Sequence, residues 1–189
     1  MSVAQPVFYY DLGSPHCYLV AEQVMSVLPV VPEWEPVPAR WLAGAEGEGE
    51  GELDRARIEA LAGELGLQPL RWPRRWPPDS ATAMLAAAYA KRIGRAVAFS
   101  LAAFRQAFAA GRDLGDVDTV LIAAAACEMH PAALLKGIGL RSVAAALQAA
   151  TARAGEAGVS ALPAIQVGAR VFAGVGSVSA AAQALGGPR

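Results

Sequence analysis

The sequence predicts an α/β fold in which short strands stand near both ends of the chain and helices fill the middle. Three observations carry this reading. Val7 to Asp11 is a run of β-branched and aromatic residues that breaks at Leu12-Gly13 and gives way to a segment of helical period. Residues 53–156 repeat apolar positions at helical spacing, punctuated by glycine, proline and capping residues. After residue 157 the strand pattern returns twice before one last helix. A chain of 189 residues in this order is a single domain, 1–189, with an insertion, and it is long enough to bury a core.

Each element has a local cause. Ser14 is the N-cap of a first helix from Pro15 to about Ser26, with Pro15 at the position where its missing N–H costs nothing. Tyr18, Leu19 and the Val24-Met25 region are expected to face the core. Pro29 and Pro32 end that helix, and Glu33 to Pro38 is a second strand, parallel to the first because one helix connects them. Gly44 to Glu52 alternates glycine or alanine with glutamate, has no apolar period, and is expected to be a mobile acidic loop.

Asp54 to Leu65 follows as a helix with Gly66 beyond its end. Leu70 to Ser80 is a proline-fixed loop with two tryptophans and three arginines. Ser80 is expected to cap a helix to Ile93, Gly94 to break it, and Ala96 to Ala110 to form the next, ended by Gly111. Asp116 caps a helix to Met129, Pro131 opens a short one, and Arg141 to Ala154 completes the block. Pro163 then starts a strand to Val167, Gly168-Ala169 turns it, Arg170 to Ala173 returns, and Ser177 to Leu185 is the closing helix.

Composition narrows the function classes. A hydrophobic content of 54% with a net charge of −1 argues for a folded soluble protein and gives no basic surface for nucleic acid. The opening residues lack the pattern of a signal peptide and no stretch reaches membrane-spanning length, so cytoplasm is the default. Cys17 and Cys127 fit neither a metal site nor a disulfide framework and are expected to be thiols, Cys127 as a small core residue. His130, before Pro131, is expected to serve a helix junction. The chemistry is expected around Ser14, whose hydroxyl at the positive end of a helix sits where an anion, including a thiolate, is held. Arg71, Arg74 and Arg75 could wall a pocket for a planar anionic molecule, or the two tryptophans could anchor a loop whose arginines face water.

Ser14-Pro15-His16-Cys17 after an aromatic strand resembles the Cys-Pro-His-Cys site of DsbA-type thiol oxidoreductases with its first cysteine replaced. It is more similar to the Ser-Pro-x-Ser/Ala-Tyr-Leu opening of the DsbA-like branch that holds 2-hydroxychromene-2-carboxylate isomerases and kappa-class glutathione transferases. The resemblance extends through Pro77-Pro78-Asp79-Ser80, the run from Phe104 to Asp113, Val159-x-x-Leu162-Pro163, and Val171-Phe172-x-Gly174. It implies a thioredoxin-like fold, βαβ…ββα, built from about 5–40 and 157–189, with an all-helical insertion over about 53–156.

The resemblance also implies that Ser14 faces a cis proline, Pro163, and that glutathione is the cofactor. A cis peptide leaves the backbone of Leu162 able to pair with a peptide thiol like an added strand, with Pro15, Val175 and Gly176 completing the cofactor site. His16, Cys17, Arg71, Arg74 and Asp79 are the candidates for a substrate or thiol site. The partner implied is a small molecule, without nucleic acid or membrane, and the family resemblance suggests a homodimer. Three departures qualify the reading. Gly176-Ser177 stands where the family has Asp-Arg, Asp79 replaces an asparagine, and Cys17 occupies a usual Ser or Ala position. The leading expectation is a glutathione-dependent isomerase or transferase. Two alternatives stay open: a thiol-disulfide oxidoreductase using Cys17, and a non-catalytic binding protein on the same fold.

Overall fold

The first strand, β1 (Val7–Tyr10), is the inner strand on which the rest is built. Its alternation turns Phe8 and Tyr10 to one face, where both are fully buried and meet Trp34 edge-on at 4.9 and 5.4 Å. The Tyr10 hydroxyl shares a 2.6 Å hydrogen bond with Ser100 Oγ, which satisfies both groups inside the core. Tyr9 points to the opposite face and donates to Gln166 Oε1. The computed structural model describes residues 5–42 and 54–186; the acidic loop expected at Gly44–Glu52 lies outside the described residues.

The first helix, α1 (Pro15–Val27), buries Cys17, Val20, Ala21 and Val24, a stripe at spacings of three and four. That stripe corrects one expectation. Met25 sits a helical step away from it and is 41% exposed, so only Val24 of that pair faces inward. The second strand, β2 (Glu33–Pro36), runs parallel to β1, with Trp34 opposite Phe8. Strand geometry ends two residues before the expected Pro38. Val37 still donates its N–H to the Tyr10 carbonyl, and the chain then tightens into a 3₁₀ turn over Ala39–Trp41.

The helical block runs α2 (Arg55–Glu64), α3 (Ala81–Arg92), α4 (Ala96–Phe108), α5 (Val117–Ala125), α6 (Pro131–Ile138) and α7 (Arg141–Glu156). Asp54, Asp116 and His130 accept the orphan N–H groups of α2, α5 and α6. The expectation that α5 reaches Met129 is corrected. The helix stops at Ala125, and Glu128 takes a φ of 59°, reversing the chain so that Met129 is buried and Pro131 can open α6. Cys127 lies in this reversal rather than in the helix, yet is buried as expected.

Two antiparallel strands follow, β3 (Ala164–Val167) and β4 (Arg170–Ala173), then α8 (Ser177–Gly186). The sheet order is β2-β1-β3-β4, with β1 and β2 parallel and the other pairs antiparallel. Helix α8 packs on β3 and on α1, while α3 and α7 approach β2. Glu35 of β2 is the ionic link on that side. Its carboxylate takes Lys91 of α3 at 2.7 Å and Arg153 of α7 at 3.3 Å.

Candidate active site

The end of β1 gathers segments that are far apart in sequence. Ser14 ends the loop after β1 and caps α1, its Oγ accepting the Cys17 N–H at 3.3 Å. Its own N–H closes a turn on the Asp11 carbonyl at 3.1 Å. Ser14 and Pro15 are buried, and His16 is half-buried behind them. Tyr9 faces Ala164 in the last pair of the antiparallel ladder, so Pro163 and Leu162 lie just beyond it, at the end where β1 runs on through Tyr10 to the Ser14 loop. The Leu162-Pro163 peptide is cis, and β3 begins only at Ala164, leaving Leu162 beyond the ladder. The Pro163 carbonyl accepts the Gly174 N–H at 2.8 Å, which draws the turn carrying Val175 and Gly176 to the same place. Ser14, Pro15, Leu162, Pro163, Val175 and Gly176 therefore belong to one end of the sheet.

One group there escaped the sequence reading, and a second was noted in it only as a departure from the family's Asp-Arg. Asp11 is a buried carboxylate whose Oδ1 accepts from Gly13 N and Ser80 Oγ and whose Oδ2 accepts from Ala39 N. Its signal in sequence was a lone acid closing an aromatic strand. Ser177, the first residue of α8, is 1% exposed, and its Oγ has no hydrogen-bond partner among the described residues. Its signal was its position after the Gly174 turn.

Ser80 does not cap α3 as expected. It occupies the cap position but gives its hydroxyl to Asp11, and Asp79 accepts the Ala81 N–H at 3.0 Å instead. Asp79 is exposed and lies against Gly115, within the same corner. Cys17 has no exposed surface, and its sulfur accepts the Asp11 N–H at 3.5 Å. Burial pushes the Cys127 thiol up, so it stays protonated at neutral pH.

The proline-rich loop follows the anchoring alternative for its tryptophans. Trp72 packs edge-on against Trp76 at 5.3 Å, donates to Glu59 of α2 at 2.6 Å, and leans on Phe108, which stacks on Tyr18 of α1. Arg55 of α2 lies over both indoles. Arg71, Arg74 and Arg75 are exposed. At its end the loop joins the Ser14 corner through the Ser80 hydroxyl on Asp11.

A cap serine at a helix start and a cis proline thus lie at one end of two adjacent strands, β1 and β3, with the helical block between them in sequence. The profile of the DsbA-like thioredoxin domain matches residues 7–186. The chain belongs to the DsbA-like thioredoxin domain family. Among solved structures, this DsbA-like chain is similar to a 2-hydroxychromene-2-carboxylate isomerase, with a TM-score of 0.84, 16% identity, and 96% of this chain and 94% of that chain covered. A probable DsbA oxidoreductase from Streptomyces coelicolor superposes with a TM-score of 0.77 at 16% identity, over 98% of this chain and 91% of that one. The cytosolic disulfide reductase DsbM from Pseudomonas aeruginosa, solved with GSH, gives a TM-score of 0.63 at 14% identity, over 89% and 88%. No curated protein matches the sequence. At these identities the superpositions establish the DsbA-like fold with its helical insertion. They also span an isomerase, an oxidoreductase and a reductase.

Proposed function

We propose that this DsbA-like protein is a glutathione-dependent isomerase or transferase that adds a thiolate to a small unsaturated aromatic or carbonyl substrate. The observation that carries the proposal is the convergence of the Ser14-capped start of α1 with the cis Leu162-Pro163 peptide at one end of the sheet. The residues present fit glutathione in two further respects. The Gly176 backbone faces open space, since a Cβ built there meets nothing within 4 Å, and the adjacent Ser177 hydroxyl is a buried polar atom awaiting a partner. Leu162 would pair with the peptide backbone of the cofactor, and Val175, Gly176 and Ser177 would receive its γ-glutamyl end in place of the family's Asp-Arg.

Glutathione supplies the nucleophilic sulfur; the chain supplies orientation and charge stabilisation. The Ser14 hydroxyl would donate a hydrogen bond to the sulfur, and the N-terminal end of α1 would favour the thiolate over the thiol. When bound, that sulfur would add reversibly to an electron-poor double bond, with the chain holding the two in register. Arg71 and Arg74, exposed on the loop that ends at Ser80, are the cations available to a substrate carboxylate. Full burial of Cys17 favours this route over a disulfide cycle, which needs a thiolate that a partner sulfur can reach.

Titration calorimetry of reduced and oxidised glutathione into wild type, Ser14→Ala and Cys17→Ala tests the reading. Binding of reduced glutathione that needs Ser14 and tolerates the loss of Cys17 is the expected result. Absence of binding by either form at millimolar concentration would overturn it.

A further inference from the structure

One carboxylate at the end of β1 holds three separate parts of the chain. Asp11 Oδ1 accepts the Gly13 N–H at 2.8 Å and the Ser80 hydroxyl at 3.0 Å, and Oδ2 accepts the Ala39 N–H at 2.8 Å. These donors come from the Ser14 loop, from the start of α3 in the helical block, and from the 3₁₀ turn after β2. Asp11 is 8% exposed, and no ion pair neutralises it among the described residues. A buried carboxylate in that state is sustained by its donors, so their positions are tightly set.

We infer that Asp11 is the positioning residue of the Ser14 site, the joint through which the helical insertion fixes the loop that presents the serine hydroxyl. The inference rests on the reading of Ser14 as the group that holds a thiolate. Two further observations support it. Ser80 sits at the cap position of α3 yet spends its hydroxyl on Asp11, and Asp79 takes over the capping contact. Gly13 leaves the space the joint needs. A Cβ there would stand 3.2 Å from Ser80 Oγ and 3.3 Å from Asp11 Oδ1, closer than ordinary contact. Asp11 also holds Ser14 directly, because its carbonyl accepts the Ser14 N–H. Its side chain and main chain thus fix the loop from both sides, and nothing in this arrangement asks Asp11 to touch the sulfur.

The test uses the full chain as wild type, Asp11→Asn, Ser80→Ala and Ser80→Thr. Amide hydrogen exchange at residues 13–17 is read without ligand. The affinity for reduced glutathione is read against pH, with the ultraviolet absorbance of the bound thiolate. Asn keeps the acceptor for Gly13 and Ser80 but turns an N–H toward Ala39, and Ser80→Ala removes a donor from the far side of the joint without touching the loop. Both are expected to raise exchange at 13–17 selectively and to weaken glutathione binding about 10-fold, the scale of a small misplacement of a positioned group. The bound thiol should then ionise at higher pH, and Ser80→Thr should restore both readouts. Unchanged exchange in Ser80→Ala would overturn the inference, as would exchange raised evenly through the chain or a failure of threonine to rescue. If wild type binds no glutathione, the function proposed above fails, and the exchange arm still decides: a selective, threonine-rescued rise upholds the joint, and any other result removes it.

Discussion

Ser14 accepts the Cys17 N–H while standing at the head of α1, so one substitution there separates stability from chemistry. Ser14→Ala removes the cap and is expected to cost about 1 kcal/mol in urea unfolding, a modest loss beside the disappearance of glutathione binding that the proposed function predicts. Tyr10 gives the molecule an alkaline limit. Burial pushes its phenol well above the ordinary value of 10.0, against the smaller lowering effect of its bond to Ser100. The unfolded phenol ionises near 10.0 and the folded one only above it. The stability Tyr10 contributes is therefore complete below pH 10.0 and is lost as pH climbs from there through the folded value. Burial raises Tyr9 and Tyr18 as well, so wild type should unfold increasingly easily above pH 10.0, and Tyr10→Phe should flatten that decline in chemical denaturation.

At the level of elements, α2 and the proline-rich loop hold each other. Arg55 lies 4.9 Å from the ring centre of Trp72 and 5.6 Å from that of Trp76, while Glu59 accepts the Trp72 indole N–H. This clamp explains why the loop's tryptophans are half-buried although its arginines face water. Arg55→Ala should cost about 1 kcal/mol and change the tryptophan emission, because the cation over the rings is lost and the indoles become freer to move. Two of the chain's four tryptophans sit in this clamp, so steady-state fluorescence is a direct readout.

Across the whole molecule, the sheet and the helical block are joined on two sides. Asp11 ties the block to the Ser14 loop, and Glu35 ties it to β2 through Lys91 and Arg153. Glu35 and Lys91 are the better shielded partners, whereas Arg153 is 60% exposed and its share is screened by water. Glu35→Gln is expected to lower unfolding stability by about 1–3 kcal/mol, since it leaves Lys91 with Glu33 alone and removes a charge-assisted bond. The glutathione affinity proposed for the Ser14 corner should be unchanged in that variant, because Glu35 lies on the sheet face served by Tyr9 and Gln166. Calorimetry on the same preparation checks this.

Signals that act within a few residues were readable in the chain itself. Ser14-Pro15 specifies a helix start, Gly66 and Gly94 take the positive φ that a helix end demands, and the Gly168 turn sets the last hairpin. Together with the strand and helix periods they determined the element order and the place of the candidate site. Tertiary structure alone decided which groups meet. Asp11 finds Ala39 and Ser80 at separations of 28 and 69 residues, distances over which no local period operates. The same packing drew Ser80 away from its cap, turned Met25 outward, buried Cys17, and left Arg71 and Arg74 in solvent. A hydroxyl or carboxylate has several satisfactory partners in an unfolded chain, and only the packed arrangement of sheet and helices selects one of them.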